Sequence, residues 1–282
     1  MSPPLAGLPG HPPVLWRAGG PRSPAQEIWG ADFELWGPDC PLAPGVWKDR
    51  IGGLEVECVG SGDWFRDANG YAGVTKADVC YGEASADVIP YLDPRDVTDI
   101  RTYACIFTDG SFDPIVGSLF CSRFLRELPY SYTLWVHVRP TGGTGLNRWN
   151  LRLLSYETSA TGLAITTSSR PYPGIADAPA VFAWAIERTV SCQRLWRLAA
   201  SSNELVWVDA GTACLTSPDI SSVRDRSLRL FNRNGITSTG DTLALADSDT
   251  RDFRFLSLAS APGLQDPATI VAWASEYGLV MP

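Results

Sequence analysis

The sequence predicts an all-β fold: an antiparallel jelly-roll β-sandwich over residues 31–282, an extended Pro/Gly-rich arm over residues 1–30, and a short C-terminal helix. Three observations predict it. Short runs alternate apolar and polar side chains, the period-2 mark of half-buried strands, and recur roughly every eight to fifteen residues. Polar turns separate them, in a chain holding 26 Gly and 22 Pro. No helical run alternates with the strands, so a sandwich or barrel is indicated over repeated βαβ units. Hydrophobic residues make up 45% of the 282, enough to pack a sizeable core.

Taken in order, "EIWGADFELWGP" reads as the first strand, followed by the turn region "GPDCPLAPG". "VWKDRIGGLEVECVG" comes next, with Leu54, Val56 and Cys58 on one face. Residues 60–100 are irregular, punctuated by "DANGYAGV" and "VIPYLDPRD". "TYACIFTDGSFDPI" carries a turn at Asp109-Gly110. "SYTLWVHVRP" sets Tyr132, Leu134, Val136 and Val138 against Thr133, Trp135 and His137. "RWNLRLLSYE", "GLAITTSS" and "AVFAWAIERT" each suit a strand, and Phe182, Trp184 and Ile186 share a face of the last. "RLWRLAASSNELVWVDAG" forms a hairpin closed near Ser201–Asn203, which brings Trp196 and Trp207 close across the pair. "SLRLFNRNGI", with its Asn234-Gly235 turn, "DTLALAD" and "DFRFLSLA" complete the strands.

The ending "LQDPATIVAWASEYGLVMP" changes period. Asp266 caps a helix, Pro267 occupies the first turn where its missing N–H costs nothing, and Gly278 stops it. Ile270, Trp273 and Tyr277 fall on one face. They are packing residues, and the helix covers one edge of the sandwich.

A net charge of −8 and the lack of any basic run exclude a nucleic-acid partner and docking on an anionic membrane surface. No segment is apolar over the roughly 20 residues of a membrane span. The N-terminus has no basic region and Pro interrupts its apolar runs, so it does not read as a signal peptide. Seven scattered cysteines without a C-x-x-C pair read as small buried thiols of a protein made in a reducing cytoplasm. The Pro/Gly-rich arm orders only if something holds it down, which marks it as a contact with the domain or with a partner chain.

Five groups of residues carry candidate chemistry. Asp32 and Glu34, two apart, project from one strand face as paired hydrolytic carboxylates would, but lack a third acidic partner and read as a solvated edge strand. His11 lies in the arm and His137 beside Trp135, and neither has the surroundings of a general base. No Gly-x-Ser-x-Gly elbow is present, so no catalytic residue is assigned. Asp247, Asp249 and Asp252 form a polar turn, with Ca²⁺ as the alternative; no cofactor or metal is assigned. The tryptophans are the remaining candidates, because pyranose C–H faces stack on indole while neighbouring polar groups bond the hydroxyls. Arg148, Trp149 and Asn150 form one such set, and Trp196, Trp207 and Asp209 another.

The ordered motifs resemble the concanavalin A-like (laminin-G-like) jelly-roll superfamily over residues 31–280, in the form common in bacterial and phage proteins. The likeness rests on "VWKDRIGG", "FTDGSFDPI", "SYTLWVHVRP", "ELVWVDAG" and the closing "LQDPATIVAWASEYGLV". Arg50-Ile51, Thr108 and Glu276 depart from the usual pattern. The resemblance implies a non-enzymatic, glycan- or receptor-binding appendage, a tail or spike component of a phage-like particle. Such a chain would be assembled in a host cytoplasm and carried on the virion, would dock through its arm on other virion proteins, and would be a homo-oligomer. The alternatives are a purely structural jelly roll that connects particle proteins, and a secreted or surface polysaccharide-degrading enzyme of the same fold acting outside the cell. A fold of this kind hosts many functions, so the site has to decide.

Overall fold

A computed structural model describes residues 23–59, 64–74, 81–84, 100–109, 120–126, 134–140, 149–156, 162–169, 180–188, 192–201, 204–214, 223–230 and 253–279. In chain order its elements are α1 (Pro24–Trp29), β1 (Phe33–Trp36), β2 (Gly45–Lys48), β3 (Glu55–Val59), β4 (Trp64–Arg66), β5 (Ala72–Val74), β6 (Tyr81–Ala84), β7 (Ile100–Asp109) and β8 (Phe120–Arg126). There follow β9 (Leu134–Pro140), β10 (Trp149–Tyr156), β11 (Gly162–Ser169), β12 (Ala180–Arg188), β13 (Cys192–Ser201), β14 (Glu204–Cys214), β15 (Val223–Leu230), β16 (Phe253–Pro262) and α2 (Pro267–Glu276).

The strands form three antiparallel sheets. The largest has eight strands in the order β14-β13-β12-β7-β16-β5-β4, with β1 beside the C-terminal half of β16. A five-stranded sheet runs β2-β3-β6-β15-β8, and a three-stranded one β11-β10-β9. The fold is an antiparallel jelly-roll sandwich closed by a C-terminal helix, as the alternation predicts. Hairpin pairs of consecutive strands alternate with long crossovers: β16 begins 144 residues after β7 ends at Asp109 (253 − 109), yet pairs with it.

One face of the eight-stranded sheet meets the five-stranded sheet in an aromatic core. Trp47 of β2 stacks on Phe255 of β16 with centroids 5.0 Å apart. Tyr103 of β7 stacks on Trp184, its cross-strand partner on β12, at 5.4 Å. Phe182, Phe107, Leu35 and Leu54 complete it, all with 2% exposure or less. These side chains sit at alternate positions of their strands, which is what puts them on a common face. Gly37 holds a close backbone approach between β1 and β5, because a Cβ there would run into the carbonyl oxygens of Gly70 and Phe255.

The opposite face of the same sheet is covered by α1 and α2. Ala104, Ile106, Ala183, Ala259 and Ala261 present a surface of mostly small residues, and Ile270, Trp273 and Tyr277 of α2 lie buried over it. The helix is thus a cover for a sheet face, not for an edge. Its caps follow the sequence signals: the Asp266 carboxylate accepts the Ala268 amide at 2.9 Å, and Gly278 turns with φ of 78°.

Two further expectations change. The strand expected over "EIWGADFELWGP" divides into a helix and a strand, so the last residues assigned to the extended arm are helical. Ser23 caps α1 through the Gln26 amide, Pro24 follows in the first turn, and Gly30 ends it with φ of 69°. This repeats the cap–proline–glycine scheme of α2, and Trp29 packs on Trp273 with centroids 5.6 Å apart. Residues 1–22 lie outside the described residues.

The cysteine reading also needs correcting. Cys40, Cys58 and Cys105 are free and buried, as expected of small apolar thiols, and burial pushes the Cys40 and Cys105 thiols well up. Cys192, however, is disulfide-bonded. In the β13–β14 ladder the residue opposite it is Cys214. Scattered spacing hid this, since an antiparallel hairpin brings together residues 22 positions apart (214 − 192) that no local motif connects.

Candidate functional site

The β13–β14 hairpin closes between Ser201 and Glu204, and its register is broken once. Leu195 faces Gly211, but Trp196 faces Asp209, so Ala210 is an extra residue in a β-bulge. The chain makes the bulge itself. Asp209 Oδ1 accepts the Gly211 amide at 2.9 Å, and Gly211 adopts φ of 132°, which favours glycine. A one-residue slip moves every following side chain to the other face. Asp209 lies on the turn side of the bulge, where the unbroken register from Ser201 and Glu204 sets it opposite Trp196 on the same outer face, two residues along from Trp207.

That face carries a four-residue cluster. Cross-strand register sets Glu187 of β12 opposite Arg194 of β13. Arg194 Nη2 lies 2.8 Å from Asp209 Oδ2, and Nη1 lies 3.7 Å from Glu187 Oε2. The Arg194 guanidinium carbon sits 4.2 Å from the centroid of the Trp196 ring. The Trp196 indole N–H donates to Glu187 Oε2 at 3.2 Å. The three charged side chains remain 36–41% exposed, and Trp196 is half-buried. The Arg194 hydrogen bond holds the Asp209 carboxyl below the usual carboxylate range, and the Gly211 amide adds to it. The same bond raises Arg194 further.

The sequence-predicted residues are placed as follows. Trp196 and Asp209 are brought together directly. Trp207 lies on the same outer face but opposite Leu198, diagonal to Trp196 and not across from it. Its indole N–H donates to the Gln265 carbonyl at 2.7 Å, and its ring packs on the cluster under α2. Trp207 therefore forms the wall between the charged cluster and the helix. Arg148 lies outside the described residues. Trp149 and Asn150 open β10, in register with Pro140 and Arg139 of β9 and with Ser169 and Ser168 of β11. Glu187 and Arg194 were not singled out in the sequence. Their signal was the hairpin register, which places both beside Trp196 once the strands are aligned.

The other candidates resolve differently. Glu34 is not solvated: it is fully buried under α2, where its carboxylate accepts from Ser257 Oγ at 2.6 Å and Tyr277 Oη at 3.1 Å. Asp32 precedes the strand at a bend and pairs instead with Arg101. The two carboxylates thus line no common cleft. His137 lies on β9 opposite Arg152. Gly110, Asn234-Gly235, Asp247, Asp249, Asp252 and His11 lie outside the described residues. Among the described residues, no three His, Cys, Asp or Glu side chains gather as a metal site.

No protein-family model matches the chain, and no curated protein sequence matches it. Solved structures with a similar course of chain include the binding domain of botulinum neurotoxin serotype C1, 8% identical with a TM-score of 0.48, over 87% of this chain and 52% of that one. Another is the CBM2 module of the evolved Dit of Lactobacillus casei BL23 phage J-1, 10% identical with a TM-score of 0.40, over 73% of this chain and 82% of that one. A third is a Trypanosoma rangeli sialidase, 8% identical with a TM-score of 0.44, over 88% of this chain and 33% of that one. The chain spans about half the length of the toxin structure.

Proposed function

We propose that this chain is a non-enzymatic carbohydrate-binding β-sandwich of the concanavalin A-like kind, and that it binds glycan on the outer face of β12–β14. The observation that carries this reading is the Trp196 indole set among Arg194, Glu187 and Asp209 on an exposed sheet face. Of the eight tryptophans whose side chains are described, six are buried, among them Trp36 beneath the Arg50–Asp39 pair, while Trp196 and Trp207 are half-buried; of these two, Trp196 is the one set in a charged cluster. An indole offers a C–H-stacking surface, and exposed carboxylates accept hydroxyl hydrogen bonds. The Asp32 and Glu34 carboxylates are held by structural partners, which favours binding over hydrolysis.

Binding to an immobilised glycan panel tests this. The native protein is expected to retain a defined set of glycans, Trp196→Ala to lose it, and Val46→Ser, exposed on β2 of the other sheet, to keep it. Equal binding by the Trp196 variant removes this face from consideration. Absence of binding to every glycan removes the function.

A finer reading follows the sequence resemblance: the module is an appendage of a phage-like particle, docked through residues 1–22. Its test is the presence of the chain in purified particles and its loss on deletion of those residues. A purely structural role is the second reading, and the burial of six tryptophans favours it.

A further inference from the structure

The ligand class of this site follows from its charge balance, and the inference rests on the glycan-binding reading above. We infer that the β12–β14 face takes a neutral glycan and rejects sialylated or uronic-acid glycans. Recognition of a sugar carboxylate calls for a cation whose donors are open to it, usually an arginine presented as a fork. Arg194, the cation of this cluster, is committed. One terminal nitrogen is hydrogen-bonded to Asp209 at 2.8 Å, the other faces Glu187 at 3.7 Å, and its plane lies against Trp196. Its Nε is buried without a hydrogen-bond partner and is closed to a ligand.

Summed over the four side chains, one guanidinium against two carboxylates leaves the cluster at −1, in a chain of net charge −8. An anionic sugar would have to displace Asp209 or Glu187 from Arg194, or sit beside two like charges. A neutral pyranose meets neither cost. Its hydroxyls donate to carboxylate lone pairs that remain open, since Asp209 and Glu187 are both more than a third exposed. Its apolar face has the Trp196 indole.

Isothermal titration with a neutral gluco- or galacto-oligosaccharide and with a sialyl- or uronyl-oligosaccharide tests the assignment, at low and at physiological salt. The expected result is binding of the neutral probe alone, changing less than about twofold with salt because no charges pair on binding. Trp196→Ala should weaken it about tenfold or more, the loss of one stacking contact. The double variant Glu187→Gln/Asp209→Asn releases Arg194, and is expected to lose neutral binding and gain the anionic probe. Salt-sensitive binding of the anionic probe by the native protein, abolished by Trp196→Ala, overturns the ligand class while leaving the site in place. Neutral binding untouched by Trp196→Ala overturns the site. Silence with both probes overturns glycan binding itself.

Discussion

The turn "WKDRIGGLE" makes the sharpest quantitative prediction, because one side chain there organises four backbone amides. Asp49 is 3% exposed. Its Oδ1 accepts the amides of Glu34 at 2.7 Å and Ile51 at 3.0 Å, and its Oδ2 accepts those of Gly52 at 2.8 Å and Leu54 at 3.5 Å. It thereby ties the β2–β3 turn to β1, across the two packed sheets. Asp49→Ala orphans all four donors. The Glu34 and Leu54 amides are buried, and a buried unsatisfied donor costs about 1–3 kcal/mol. Leu54, at the long limit, lies at the low end, while the Ile51 and Gly52 amides are part-exposed and regain water. Removing a buried carboxylate, whose burial pushes it above the usual carboxylate range, recovers part of the loss. The net expectation is a destabilisation of about 2–4 kcal/mol. At roughly 2–4 °C per kcal/mol for a chain of this size, the melting temperature falls by about 10 °C. Asp49→Asn keeps Oδ1 and opposes a donor to the Gly52 and Leu54 amides, so it should show an intermediate loss. Urea unfolding followed by circular dichroism measures both. An alanine variant within about 1 kcal/mol of the native protein would refute the assignment of this side chain as a sheet-to-sheet tie.

Three other outcomes are expected. Tyr277→Phe removes one of the two hydroxyls bonded to buried Glu34 and should cost about 1–3 kcal/mol in thermal or urea unfolding; an unchanged midpoint refutes the buried contact. Reductant should destabilise the protein by about 2–4 kcal/mol through the Cys192 disulfide; thiol counting that finds all seven cysteines free before reduction sinks this. The Asp209–Arg194 pair should persist as pH falls through the ordinary aspartate value of about 3.9. A lowered folded-state pKa makes the pair's contribution complete above that value and lost only below it, at Asp209's own pKa. Carboxyl NMR reads this directly, and a midpoint at or above about 3.9 contradicts the pairing.

Period-2 alternation, turn residues and the Asp266-Pro267 cap sufficed for the all-β class, the closing helix and the hairpin between Ser201 and Glu204, because each depends on neighbours within a few residues. The same local logic was present but unread in "SPAQEIWG", where the polar cap, proline and glycine of α2 recur and produce α1. Charge, too, was readable: the pairing of Arg194 with two carboxylates sharpens an acidity already evident in the composition. Other features required the tertiary structure. Whether Glu34 faced water or the core depended on α2 crossing over it, an event more than 240 residues away (277 − 34 = 243). Trp207 and Trp196 look equivalent on one hairpin, yet one is bonded to the Gln265 carbonyl and the other joins Arg194. The bulge at Ala210 ends the regular hairpin register just past the Trp196–Asp209 pair and reverses the faces beyond it, and a single-residue register shift leaves no trace in hydrophobic periodicity. Local order follows from short-range sterics and hydrogen bonding. The site follows from register and layer packing, which are long-range choices that only the assembled sandwich makes.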